Sequence, residues 1–201
     1  MADPRDEAAT SGEPLLEFRE VMRRLRAECP WKAEQTHRSL VRYLLEETHE
    51  TVEAIESGDA VHLREELGDL LLQVYFHAAV AEQDGGFTID DVARDITAKM
   101  IRRNPHVFGD AASGTPSEIN DAWQAIKAAE KDRSDVTEGL PASLPALLYA
   151  DKVLDRLARA GRPAVPAGEG IGERLLALVA EAHADGIDPE QALRDAVRRL
   201  V

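Results

Sequence analysis

The chain has 201 residues and a formal net charge of −14, with 24 Lys and Arg against 38 Asp and Glu. This length predicts one domain, or one domain with a small appendage, at roughly 150 residues per domain, and the excess of acids argues against a general nucleic-acid binder. A single cysteine, Cys29, excludes a disulfide framework and a Cys-rich metal site, and no apolar run reaches the roughly 18 residues of a membrane helix.

The N-terminal segment, MADPRDEAATSGEP, is acidic and polar. It lacks the charged start and the apolar stretch of a signal peptide, and its low apolar content predicts a disordered tail at residues 1–13. We therefore expect a cytoplasmic protein with no membrane partner.

The rest of the chain is typical of an all-α protein. Aromatic residues make up 4% of it, and apolar residues recur at intervals of three and four. Caps, glycines and prolines predict helices at about 14–28, 39–57, 60–83, 88–103, 116–131 and 143–160, with two short helices after residue 170. We expect a helix break at Cys29-Pro30-Trp31 and a loop from Pro105 to Thr115.

The second and third predicted helices carry the acids that point to chemistry. Glu46, Glu47 and Glu50 occupy a narrow arc of the second helix, beside its apolar stripe. The third helix is apolar on most sides, with one polar strip: Glu65, Glu66, Asp69, Gln73 and His77. Since a helix that is apolar almost all round is buried among other helices, we expect the strip to be buried or half-buried.

Carboxylates that are buried together need raised pKa values or a cation. The short connection predicts that the two helices pack antiparallel, so four or five carboxylates would converge in a way that suits Mg²⁺ or Mn²⁺. The alternative is a solvated helix face, the commoner role of three acids on one helix. His77 itself fits a satisfied core histidine better than a metal ligand.

Cations and an aromatic residue follow the acids. Lys99, Arg102 and Arg103 end the fourth helix, where the helix dipole alone would favour them. An indole and two amines recur at i, i+4 and i+8 on the fifth helix: Trp123, Lys127 and Lys131. That spacing also fits a surface amphipathic helix, but acids, cations and an indole together fit one ligand, a magnesium-bound nucleotide.

Four motifs occur in order along the chain. They are CPW at 29–31 with QTH at 35–37, LLEETHE at 44–50, REELGDLL at 64–71 and RRNPHVFGD at 102–110. Over about residues 15–160 the sequence resembles the MazG family of nucleoside triphosphate pyrophosphohydrolases. The metal motif of that family, EExxE followed by ExxD, matches Glu46, Glu47 and Glu50 and then Glu66 and Asp69.

The resemblance implies an all-α helical bundle, assembled as a homodimer or higher homo-oligomer, that hydrolyses acid anhydrides. The reaction would be Mg²⁺-dependent hydrolysis of NTPs or dNTPs to the monophosphate and pyrophosphate, a role in nucleotide-pool house-cleaning. Four acids would hold Mg²⁺, or Mn²⁺ in its place: Glu47, Glu50, Glu66 and Asp69. Glu46 would be a further ligand or orient the attacking water. Six residues would bind the substrate: Lys99, Arg102, Arg103, Trp123, Lys127 and Lys131.

The same resemblance sets the predicted domains. They are a tail at 1–13, a MazG-like helical catalytic domain at 14–160, a linker at 161–170 and a C-terminal helical pair at 171–201. Two residues depart from the family pattern, Lys32 in place of Asp and Asn104 in place of His.

Three alternatives stay open at this point. A carboxylate-bridged di-iron protein would use Glu46-x-x-His49, but it needs a second such element and the third helix offers ExxD. A helical interaction module without chemistry would leave the acids as a solvated face. A degenerate homologue would bind nucleotides without turnover, although the intact motif acids argue against it.

Overall fold

The computed structural model describes residues 13–130, 135–162, 164 and 168–200. Within these ranges the chain forms ten α-helices and no strand: α1 (Pro14–Glu28), α2 (Pro30–Ala33), α3 (His37–Ser57), α4 (Ala60–Gln83), α5 (Ile89–Arg103), α6 (Pro105–Phe108), α7 (Pro116–Ala129), α8 (Ala146–Arg159), α9 (Ile171–Ala184) and α10 (Pro189–Arg198). The all-α prediction is confirmed. None of the described helices has the length and apolarity to cross a membrane. The predicted tail, apart from Glu13, lies outside the described residues.

Two one-turn helices stand where the sequence predicted a break and a loop. Pro30 and Pro105 each occupy the first helical position, of α2 and α6 respectively. The fixed φ of proline suits this position, and its missing N–H is one that a helix start leaves unbonded in any case. The predicted break is confirmed, because α1 ends at Glu28, although Pro30 and Trp31 already belong to a new helix. The loop predicted from Pro105 was wrong over Pro105–Phe108.

Helix α3 begins two residues earlier than predicted because of a capping box. The Thr36 hydroxyl oxygen accepts a hydrogen bond from the Ser39 backbone N–H at 3.2 Å, and the Ser39 hydroxyl oxygen accepts one from the Thr36 N–H at 2.9 Å. These reciprocal bonds satisfy N–H groups that have no partner within the helix, so residue 37 already lies inside it.

The apolar core of the N-terminal part gathers around α4. Tyr75, Phe76 and Val80 of α4 pack against Met22 of α1 and Leu40 of α3, all at most 8% exposed. The Tyr75 hydroxyl also donates a hydrogen bond to the carbonyl oxygen of residue 15 at 3.2 Å. The core therefore fixes α1 and α3 on α4, and with them the side chains discussed below.

The contacts between Cα atoms divide the chain into two compact units, the first ending at Trp123 and the second beginning at Gln124. The division falls inside α7. In the second unit, α8 packs on α9 and α10. The domain limits expected from the sequence, at residues 160 and 170, stay a prediction.

The faces of α4 differ from the expected pattern. Glu66 and Gln73 of the polar strip are buried, as predicted, whereas Glu65 is exposed. Two apolar residues of this helix, Leu67 and Val74, are 49% and 41% exposed. The prediction of a helix buried on all sides was wrong: among the described helices α4 packs mainly on α1, α3 and α5, and Leu67 and Val74 stay exposed.

Candidate metal centre

A tight turn brings α3 and α4 side by side. Gly58 ends α3 with a φ of 73°, a left-handed conformation that glycine adopts without steric cost. Asp59 then caps α4, and its Oδ1 atom accepts hydrogen bonds from the backbone N–H groups of Val61 at 2.8 Å and His62 at 3.2 Å. Because only two residues separate the helices, α3 and α4 pack antiparallel, as the sequence predicted.

Three carboxylates converge across this helix pair. One oxygen each of Glu47 on α3 and of Glu66 and Asp69 on α4 lie within 4.8 Å of one another. Glu66 is 9% exposed, and the other two side chains are half-buried. Hard divalent cations take carboxylate oxygens as ligands, so this group of three, which we call the acid cluster, offers suitable donors for one ion.

The protonation of Glu47 reflects this crowding. Burial raises the pKa of its carboxyl, and the negative charges of Asp69, Glu50 and Glu66 raise the pKa further. A hydrogen bond with the Glu50 carboxyl acts in the same direction. Half-buried acids that repel one another in this way are stabilised by a cation, so the donor set fits a divalent metal.

The remaining acids of the predicted motif lie beside the acid cluster. Glu50 interacts with Glu47 but does not belong to the group of three. Glu46 is exposed and is also outside this group. The structure thus brings together three of the four predicted metal ligands and places the fourth next to them.

His62 is a neighbour of the acid cluster that the sequence analysis missed. Its Nε2 lies 3.1 Å from a carboxylate oxygen of Glu66, one helical turn away. The signal was the i, i+4 spacing of the two residues on α4. A group bonded to a metal-binding carboxylate orients it, so His62 is positioned to fix the rotamer of Glu66.

The predicted phosphate-binding residues of α5 have different environments. Lys99 is half-buried, Arg102 is exposed and Arg103 is 9% exposed. The Arg103 guanidinium carbon lies 5.3 Å from the centre of the Trp123 ring, within the range of a cation–π contact. A base stacked on Trp123 would therefore share the indole with Arg103 or displace it, a contact that the sequence did not predict.

The other predicted substrate residues lie on α7 or beyond it. Lys127 is one helical turn after Trp123 and is half-buried. Lys131 is outside the described residues.

The two residues that depart from the family pattern both have contacts. The Lys32 amine lies 5.3 Å from the centres of the Trp31 and Phe76 rings. The Asn104 side chain donates a 2.7 Å hydrogen bond to the backbone carbonyl of residue 100.

The polar strip of α4 continues past the acid cluster. Gln73 is 4% exposed, and its Oε1 has no hydrogen-bond partner among the described atoms. His77 is half-buried, with Nδ1 2.8 Å from Nδ1 of His37 and Nε2 without a described partner. Burial, followed by the charge of His37, lowers the pKa of His77. Among the described atoms, His77 is thus a half-buried histidine with a hydrogen bond at one nitrogen, and the expectation of a satisfied core histidine holds for Nδ1 but not for Nε2.

Comparison with known proteins finds a matching family model and several similar sequences. A family model described as the MazG nucleotide pyrophosphohydrolase domain matches residues 35–108. An uncharacterized 26.1 kDa protein of Streptomyces cacaoi is 50% identical over 190 residues, which are 92% of this chain and 78% of that protein. The matched domain contains every acid of the candidate centre and the cations of α5.

Two named relatives match at lower identity. The nucleoside triphosphate pyrophosphohydrolase/pyrophosphatase MazG of Thermotoga maritima is 37% identical over 209 residues, 90% of this chain and 80% of that protein. The nucleoside triphosphate pyrophosphohydrolase of Mycobacterium tuberculosis is 43% identical over 188 residues, 92% of this chain. The chain spans 55% of the length of the mycobacterial protein and 56% of the length of the nucleoside triphosphate pyrophosphohydrolase of Escherichia coli.

Proposed function

The chain belongs to the MazG nucleotide pyrophosphohydrolase family, and from that premise we propose that it hydrolyses nucleoside triphosphates to the monophosphate and pyrophosphate with Mg²⁺. The observation that carries the proposal is the convergence of Glu47, Glu66 and Asp69 within 4.8 Å. The proposed setting is nucleotide-pool house-cleaning in the cytoplasm.

The acid cluster is the proposed metal site, with Glu50 as the fourth ligand. Bound here, Mg²⁺, or Mn²⁺ in its place, would supply Lewis acidity and would lower the pKa of the water proposed to attack the α-phosphorus. Glu46, exposed one residue before Glu47, is proposed to orient that water from the solvent side. His62 holds the Glu66 carboxylate through the 3.1 Å contact described above.

The proposed substrate contacts come from α5 and α7. Lys99, Arg102 and Arg103 offset the negative charge that develops on the phosphates and on the leaving pyrophosphate. Trp123 stacks the base, a contact that every nucleobase permits. Lys127 is a further cation on α7, and the proposal also retains Lys131. These cations counter the repulsion that a chain of net charge −14 exerts on an anionic substrate.

We also propose that the protein is a homodimer or a larger homo-oligomer. Leu67 and Val74 lie seven residues apart on one face of α4 and are 49% and 41% exposed, and Leu45 of α3 is 55% exposed. Apolar side chains on neighbouring helices form the kind of surface that subunit interfaces cover.

The test is product analysis on a panel of NTPs and dNTPs, with Mg²⁺ or with EDTA. We expect monophosphate and pyrophosphate in equal amounts, with no turnover in EDTA. Loss of one group that only orients a ligand costs roughly 10–100-fold in metal affinity or activity, so Asp69→Asn, which removes a proposed ligand, should lower kcat/KM by about 100-fold or more. Glu65→Gln is the matched control, because Glu65 is exposed on the same helix and outside the acid cluster.

Two negative results have different meanings. Absence of turnover while Mg²⁺ still raises the melting temperature would leave a nucleotide-binding module without hydrolysis. Absence of both turnover and any effect of Mg²⁺ on melting would contradict the metal site itself.

A further inference from the structure

A row of cations on α8 has no role in the proposed hydrolysis. Lys152, Arg156 and Arg159 follow one another at i, i+4 and i+7, which places them on one face of the helix, and Arg162 comes three residues later. From Lys152 to Arg159 the row covers roughly 10 Å, at about 1.5 Å per residue. We call these four residues the α8 cation row.

The α8 cation row lines a cavity of about 610 Å³ that lies within the C-terminal unit. This volume falls in the range of about 300–1,000 Å³ that is usual for small-molecule sites. Lys127 of α7, also proposed above as a substrate contact, adds a fifth cation to the lining, and among the described residues the acids that line it are Asp135 and Asp155. A cavity with a local excess of positive charge is unusual in a chain of net charge −14, and it attracts anions.

Backbone and side-chain contacts hold the arginines in place. The Nη1 atom of Arg156 donates hydrogen bonds to the carbonyl oxygens of Val136 at 2.7 Å and Glu138 at 2.8 Å. The Nε atom of Arg159 donates one to Asp155 at 2.8 Å. These three hydrogen bonds tether two guanidinium groups at the cavity wall, so less side-chain entropy is lost when a ligand binds there.

The two acids do not cancel the positive charge. Hydrogen bonds from the hydroxyl and backbone N–H of Thr137 lower the pKa of Asp135, and the charge of Arg162 lowers it further. Asp155 is paired with Arg159. At neutral pH the described part of the lining therefore carries three more positive than negative charges.

Part of the cavity wall is apolar. Val136, Leu140, Pro141 and Leu144 contribute to the lining. A ligand with an uncharged ring beside its anionic groups could pack that ring against these apolar side chains. A purely inorganic anion would contact only the α8 cation row.

We propose that this cavity binds an oligophosphate, a chain of two or three linked phosphates, either free or as the phosphate end of a nucleotide. Arginine forks match phosphate oxygens, and a row of roughly 10 Å can engage several phosphates at once, which one phosphate group cannot do. The proposal goes beyond the hydrolysis proposed above, because binding here needs neither the acid cluster nor a metal ion.

The experiment is calorimetric titration of the full chain with sodium tripolyphosphate in EDTA. Removal of divalent cations, together with the Asp69→Asn background, separates this site from the proposed reaction. The test variant is Lys152→Ala/Arg162→Ala, whose side chains are exposed and are not the ones bonded to the backbone carbonyls. The control variant, Arg174→Ala/Arg199→Ala, removes the same charge from exposed positions of the same unit outside the cavity.

We expect saturable binding that weakens at least tenfold in the test variant and less than twofold in the control. Added salt should weaken binding, because the contacts are ionic. If a nucleoside triphosphate binds with the same affinity as tripolyphosphate, the cavity recognises the phosphate chain alone. If it binds with higher affinity, the apolar residues of the lining contact the nucleoside as well. Either result supports the proposal.

Three results would overturn it. They are absence of saturable binding, equal loss in the test and control variants, and equal affinity for tripolyphosphate, orthophosphate and citrate. Loss of nucleotide hydrolysis in Asp69→Asn with tripolyphosphate binding intact would leave the proposal standing, so the two functions are tested independently.

Discussion

The ionised Glu47 carboxyl is predicted to destabilise the metal-free fold by a measurable amount. Burial and the charges of Asp69, Glu50 and Glu66 raise its pKa above the ordinary value of 4.5. The folded state therefore binds this proton more tightly than the unfolded state does. The ionised carboxyl destabilises the metal-free fold above its raised pKa, and this destabilisation disappears as the pH falls below 4.5.

We expect Glu47→Gln to melt at a higher temperature than the wild type in EDTA at about pH 7, with the difference shrinking as the pH falls toward the pKa of the unfolded state. Differential scanning calorimetry across this range is the measurement. Glu46→Gln is the control, because Glu46 is exposed on the same helix and outside the acid cluster. A Glu47→Gln protein that melts below the wild type in EDTA at neutral pH would contradict the prediction.

Individual residues of the centre were predictable to different degrees. Helical periodicity and a two-residue connection predicted that acids of α3 and α4 would face each other, and the resemblance to the MazG family singled out Glu47, Glu66 and Asp69 among them. The contact between Arg103 and Trp123 depends on how α5 and α7 meet in space, which no local pattern encodes. The exposure of Glu46 beside the half-buried Glu47 also depends on the packing of the helices, since the two are adjacent in the sequence.

At the scale of elements, the long helices were predictable because their ends carry strong local signals. Asp59 and Thr88 cap α4 and α5 through side-chain hydrogen bonds. The one-turn helices α2 and α6 were not predicted, since proline both ends one helix and begins the next. Only tertiary contacts reveal which of these happens, and the Arg26 guanidinium, buried and bonded to the carbonyl oxygen of Lys32, is such a contact for α2.

Helix α5 carries a cap that makes its stability depend on pH. The Thr88 backbone N–H and hydroxyl donate hydrogen bonds to Asp91 at 2.9 and 2.7 Å, and Arg94 donates another at 2.6 Å. These bonds, those from Thr88 first, lower the pKa of Asp91 from 3.8 to about 2. A carboxyl with a lowered pKa contributes stability that is fully present above pH 3.8 and is lost as the pH falls toward 2.

We expect Asp91→Asn to melt below the wild type at about pH 6 and to approach it at about pH 3. Thermal melts followed by circular dichroism give the comparison. Asp95→Asn, an exposed position of the same helix, should change the melting temperature little and with no such dependence on pH. A deficit of Asp91→Asn that is the same at both pH values would assign the effect to something other than the cap.

At the scale of the whole molecule, α4 buries some of its polar side chains and exposes some of its apolar ones. Glu66 and Gln73 are 9% and 4% exposed, while Leu67 and Val74 are 49% and 41% exposed. Sequence periodicity separates a polar from an apolar face but cannot say which of them packs against the same chain. An apolar face left exposed while acids are buried is typical of a surface that a second subunit covers.

We expect the wild type to sediment at twice or more the 22.1 kDa of one chain, and Leu67→Glu to shift it toward the monomer. Leu67→Ala is the milder variant, which keeps the surface uncharged. A buried Leu side chain contributes about 1.5–3 kcal/mol, and a two-fold interface contains each residue twice, so this variant should weaken association at least tenfold. Leu178→Glu on α9, where the leucine is 61% exposed, is the matched control. If Leu178→Glu dissociates the assembly and Leu67→Glu does not, the interface lies on the C-terminal unit, and the exposed face of α4 requires another explanation.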